Sequence, residues 1–81
     1  MNKINILMAD GCTKSEAEKA LNRTIIYTEK QFKESFDDIT SWCTDEEEKE
    51  PYYRMLNDKI PATDWGITEY ENETYFIAYE N

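Results

Sequence analysis

Trp65-Gly66-Ile67-Thr68-Glu69-Tyr70-Glu71-Asn72-Glu73-Thr74-Tyr75-Phe76-Ile77-Ala78-Tyr79 is the stretch whose reading decides the fold class of this chain. Two runs of β-branched and aromatic residues, 65–70 and 74–79, flank Glu71-Asn72-Glu73, and asparagine tolerates the left-handed backbone of a tight turn. The stretch reads as a β-hairpin, with Ile67, Tyr75, Ile77 and Tyr79 facing the rest of the molecule. A two-stranded ribbon alone is marginal in water. It needs a cover, and the short β-branched and aromatic run at 24–27 is expected to pair with it.

The cover comes from segments of helical period. Ile4, Leu7 and Met8 stand at i, i+3 and i+4, although Ile4, Ile6 and Met8 also alternate as a strand would. Gly11 decides for a helix, because glycine is the usual left-handed stop just past the last turn. Thr13 and Glu16 have the spacing of a capping box, with Ala17, Ala20 and Leu21 as the buried stripe behind it. Thr28 and Gln31 repeat that spacing ahead of Phe32, Phe36, Ile39, Trp42 and Cys43, the clearest amphipathic pattern in the chain. This pattern predicts one long core helix, with Cys43 packed inside. A last helix, capped by Thr44 or Asp45, holds Pro51 near its first turn and is anchored by Tyr52, Tyr53, Met55 and Leu56. Ile60-Pro61 ends it. The expected class is α+β: three to four short helices packed against a small antiparallel sheet built on the C-terminal hairpin. With 81 residues, the chain is read as a single small acidic domain spanning 1–81.

Composition narrows function. There are 18 acids, 9 bases and no histidine, for a net charge of -9. Without histidine, general acid and base work would fall to a carboxylate pair such as Asp37 with Asp38, and adjacent acids on a polar face are more often simply solvated. A cysteine nucleophile would need an electropositive setting that this chain does not offer. Cys12 and Cys43, far apart in sequence, build neither a zinc site nor a disulfide framework, and no glycine loop cradles a phosphate. The expectation is a protein that is not an enzyme and takes no cofactor and no metal. Met1 to Ala9 has no signal-peptide character and no apolar run approaches a membrane span, so a reducing cytoplasmic setting with no membrane role is expected. Asn22-Arg23-Thr24 and Asn72-Glu73-Thr74 match the glycosylation pattern by chance in that setting.

The acidity is local. Residues 1–28 hold 4 bases and 3 acids, 29–50 hold 3 and 9, and 51–81 hold 2 and 6. Direct contact with nucleic acid is disfavoured by that balance. Carboxylates at i, i+3 and i+4 of a helix lie about 5 to 6 Å apart, close to the spacing of successive phosphates along a strand. Glu34, Asp37 and Asp38 meet the condition, and Glu46, Glu47 and Glu50 extend it. Tyr52 and Tyr53 are the expected flanking anchors. The plain alternative for these residues is a solvated acidic helix surface.

Two resemblances bear on this. Residues 6–21, Ile-Leu-Met-Ala-Asp-Gly-Cys-Thr-Lys-Ser-Glu-Ala-Glu-Lys-Ala-Leu, resemble the first two helices of ubiquitin-associated domains, which also pair an apolar helix, a glycine turn and a helix ending in Ala-Leu. That resemblance implies ubiquitin binding, but Ile25-Ile26-Tyr27 reads as a strand where that family begins a third helix. In size, acidity and α+β pattern, the chain is similar to small phage and mobile-element inhibitors, the anti-CRISPR and DNA-mimic proteins, through Asp37-Asp38 and the acidic run 45–50. This likeness implies a non-catalytic inhibitor that binds a basic nucleic-acid site of a bacterial defence nuclease such as a CRISPR effector. The alternative expectation is an interaction or regulatory module that docks a protein partner, or a second copy of itself, along the outer edge of 74–79 near Phe76 and Tyr79.

Overall fold

The computed structural model describes residues 2–79. In chain order it forms α1 (Lys3–Ala9), α2 (Lys14–Ala20), a single 3-10 turn at Leu21–Arg23, β1 (Thr24–Thr28), α3 (Glu29–Glu34), α4 (Phe36–Ile39), α5 (Glu46–Asp58), β2 (Trp65–Tyr70) and β3 (Glu73–Tyr79). The class is α+β. Both capping boxes are present: Thr13 and Glu16 exchange hydrogen bonds at α2, and Thr28 and Gln31 do so at α3. Gly11 follows α1 with a φ of 107°. Asp45 caps α5 by accepting the Glu48 amide at 3.0 Å.

The hairpin turns on Glu71 and Asn72, with φ of 50° and 64°. Tyr70 therefore pairs directly with Glu73, so β3 starts one residue earlier than the composition suggests. The sheet order is β1-β3-β2, all antiparallel. Placing β3 in the centre corrects the expected docking edge: residues 75–78 are paired on both sides, and Phe76 is fully buried. The outer edges belong to β1 and β2.

Successive strand residues point to opposite faces, and β3 uses both. Ile77 packs with Ile26 under α1 and α2, through Ile6, Leu7 and Ala17. Phe76 packs on the other face with Phe32, Tyr52 and Met55 from α3 and α5. Since Ile67 pairs with Phe76, it lies on that second face and not beside Tyr75, Ile77 and Tyr79 as expected. The apolar run Tyr75-Phe76-Ile77-Ala78-Tyr79 is continuous because helices cover both faces.

The expected long core helix is broken. Ser35, with φ -99° and ψ 9°, separates α3 from α4. The break lets Phe32 reach Phe76, ring centres 4.6 Å apart, while Phe36 turns to Tyr53 at 5.0 Å. Buried Thr40 then ends α4 by donating its hydroxyl to the Phe36 carbonyl at 2.7 Å. Trp42 is thereby turned out of the core and is 59% exposed, while Cys43 keeps a partly buried place beside the aromatic cluster. Pro51 lies inside α5, beyond its first turn. It leaves the Glu47 carbonyl without its helical donor, but both residues are exposed, so water can satisfy the group.

Candidate functional site

The helical layer α3–α5 presents its aromatic side to Phe76 and its acidic side outward. Glu34 ends α3, Asp37 and Asp38 lie in α4, and Glu46, Glu47 and Glu50 lie in the first half of α5; all six are exposed. The break at Ser35 corrects one expectation: Glu34 does not share a regular helix with Asp37 and Asp38. The two acidic segments meet where the Phe36 and Tyr53 rings lie tilted, 5.0 Å apart, bringing the start of α4 to the middle of α5. Glu50 precedes Tyr53 by three residues and stands on the same side of α5.

Compensation is partial. Glu46 meets Lys49 at 3.7 Å and Glu50 meets Arg54 at 3.3 Å, both within α5, with both acids exposed and Lys49 half-buried. Such pairs contribute about 0 to 1 kcal/mol. Among the described residues Glu34, Asp37, Asp38 and Glu47 have no ion-pair partner. The first-turn positions of Asp37, Asp38, Glu46 and Glu47 also favour their helices through the positive end of the backbone dipole.

The aromatic flank differs from expectation. Tyr53 is 40% exposed and sits beside the acids, but Tyr52 is a core residue, edge-on to Trp65 at 6.1 Å and to Trp42 at 6.0 Å. Burial pushes its phenol above the ordinary value. Only its edge reaches the surface, at the groove beside Trp42. Trp42 is the exposed ring instead, masked in the sequence by its helical spacing to Phe32 and Ile39. The signal that it leaves the helix was Thr40-Ser41, two poor helix formers whose hydroxyls compete for backbone groups.

Beside Trp42 an open groove of about 500 Å³ runs between α5 and the 61–64 loop, lined by Trp42, Glu48, Pro51, Tyr52, Pro61, Ala62, Thr63 and Asp64. Two carboxylates and no cation line it. A second depression, at Asn2, Lys3, Ile4 and Leu21, is more open and carries no carboxylate and no aromatic. The cysteines lie in different clusters on opposite faces of the sheet, Cys12 beneath α1 and Cys43 by the aromatic layer. Burial, then Glu48, raises the Cys43 thiol above its ordinary value despite Lys49, which disfavours the nucleophilic thiolate. Among the described residues no helix is long and apolar enough to cross a membrane.

No protein-family model, curated protein or solved structure matches the chain significantly.

Proposed function

We propose that this chain is a non-catalytic, protein-binding inhibitor. The acidic outer surface of α3–α5 occupies a basic nucleic-acid-binding site on a bacterial defence nuclease, for instance the channel or short-motif reader of a CRISPR effector. The observation that carries this reading is the concentration of exposed acids in three successive helices, where Glu34, Asp37, Asp38 and Glu47 lack a cation partner among the described residues. Such a surface speeds encounter with a basic groove and gives a salt-sensitive attraction, while exposed aromatics supply contact area. The test is the triple substitution Glu46→Lys, Glu47→Lys and Glu50→Lys, assayed for displacement of DNA from guide-loaded effectors. Loss of displacement with the fold intact is expected, and undiminished displacement overturns the mimicry.

Docking through a strand edge is the second reading, now moved to β1. Its outer edge faces no other strand among the described residues, and Ile25 on it is 46% exposed. A homodimer whose association is indifferent to salt would favour this reading over the first.

A further inference from the structure

We propose that the groove beside Trp42 is a receptor for an arginine side chain presented by a basic protein partner. The inference rests on the reading that the partner is basic, and it adds where that partner's anchoring side chain is held. The groove combines what a guanidinium needs. Trp42 offers an exposed indole, and Glu48 and Asp64 offer carboxylates on a lining that holds no cation. A guanidinium is planar and weakly hydrated, stacks on aromatic faces and bonds carboxylates with two parallel N–H groups. Lysine lacks the flat face, and a phosphate would be repelled by both carboxylates.

The site is built in advance. Trp42 rests edge-on against Tyr52, which is itself wedged against Trp65. Glu48 is positioned twice, its amide donating to Asp45 and one carboxylate oxygen accepting the Thr44 hydroxyl at 2.7 Å. Asp64 is held in the left-handed region at φ 66°, a conformation few non-glycine residues adopt, and its carbonyl accepts the Tyr79 amide at 2.9 Å. Pro51 and Pro61 stiffen the opposite walls. Among the described residues neither Glu48 nor Asp64 is ion-paired, unlike Glu46 and Glu50 on the outer surface. Lys49, the nearest basic residue in sequence to Glu48, contacts Glu46 instead.

The experiment titrates the whole chain with N-acetyl-arginine methylamide, following the Trp42 indole N–H and the backbone amides of 62–64 by NMR. The lysine and citrulline analogues serve as matched probes. A saturable shift confined to those groups is expected, about fivefold tighter for arginine than for lysine and absent for citrulline, a preference worth about 1 kcal/mol. Trp42→Ala, at an exposed position, and Asp64→Asn, which tolerates the same backbone, should each weaken binding about fivefold or more with other amides unmoved. Equal shifts from arginine and lysine spread over Glu34, Asp37 and Glu47, or binding unchanged in Trp42→Ala, would show general ionic attraction and overturn the proposal. So would preferential seating of a proline or aromatic probe. The charge-reversed variant Asp37→Lys, Asp38→Lys, Glu47→Lys separates the two readings, because it leaves the groove lining untouched. If mimicry alone is wrong, DNA displacement is absent in the wild type or undiminished in this variant, and the wild-type groove still binds arginine. If only the groove assignment is wrong, the variant loses displacement and the wild type shows no arginine preference.

Discussion

The two faces of the sheet share β3 and differ in almost everything else. Under α1 and α2 the packing is aliphatic, through Ile6, Leu7, Ala17, Ile26 and Ile77, and residues 1–28 are nearly neutral. A polar clasp closes that side: Tyr79 donates to Asp10 at 2.6 Å directly over Gly66. Under α3–α5 the packing is aromatic, through Phe32, Tyr52 and Phe76 with Tyr27 and Trp65 beside them, and the outer surface is acidic. Each side buries its own core cluster, and the second alone adds a strongly acidic outer surface. Both faces bury core residues and carry stability, and the proposed binding surface lies on the outside of the second. Substitutions should separate the two.

The largest effect is expected at Phe32, fully buried and in ring contact with Tyr27, Phe36, Trp65 and Phe76. Phe32→Ala should cost about 3 to 5 kcal/mol, a large share of the stability of a small domain. Because Phe76 and Ile77 are neighbours on one strand, both faces should melt together. Urea unfolding followed by tryptophan emission and by far-UV circular dichroism should give coincident transitions, and separated ones would break the comparison.

Next is Gly66→Ala. A Cβ there would overlap the Asp10 carboxylate and meet the Tyr79 ring at 3.0 Å. A cost of about 1 to 3 kcal/mol in urea denaturation is expected, with binding by the folded fraction unchanged.

Much of this was legible in the sequence, for physical reasons that also explain the failures. Capping boxes are local, so Thr13 with Glu16 and Thr28 with Gln31 were readable, as was the turn at Asn72. What escaped depends on contacts distant in sequence. The break at Ser35 follows from where Phe76 and Tyr53 lie, and the burial of Tyr52 follows from Trp65. The position of β3 between two strands was hidden because pairing order is not a local property, although its unbroken apolar run carried the hint. The acids of the candidate site were legible as charge. Their spread over three short helices, and the exposure of Trp42 with the burial of Tyr52, were not.

Tyr79→Phe removes the clasp and should cost about 1 to 2 kcal/mol by leaving the Asp10 carboxylate short of a donor. It should also change alkaline behaviour. Burial, then Asp10, pushes the Tyr79 phenol above its ordinary value, so the neutral phenol favours the fold. That contribution is full below pH about 10 and is lost as pH rises through the higher folded value. Stability measured from pH 8 upward should fall less steeply in the variant.

Thr13→Ala and Thr28→Ala, one cap on each side, should each cost about 1 kcal/mol in thermal unfolding. Acid separates them. The Glu16 carboxyl is held below its ordinary value by the Thr13 amide and hydroxyl. Glu29 also lies low: burial opposes this, but hydrogen bonds and charge from Lys59 and Lys33 outweigh it. Depressed carboxyls stabilise the fold above the ordinary carboxylate range and lose that contribution as pH falls through their folded values. Thr13→Ala keeps the backbone amide and should remove only the hydroxyl's smaller share of the Glu16 acid dependence, whereas Thr28→Ala should leave the Glu29 part in place.

The smallest effect on stability is expected for Glu47→Lys, within about 0.5 kcal/mol for an exposed site. Its effect should appear in binding instead. The account as a whole is tested most directly by DNA displacement from guide-loaded CRISPR effectors, measured between about 50 and 200 mM salt. The account predicts competitive displacement of DNA from at least one effector, weakening steeply as salt rises. Displacement indifferent to salt, or no displacement from any effector at low salt, would contradict it.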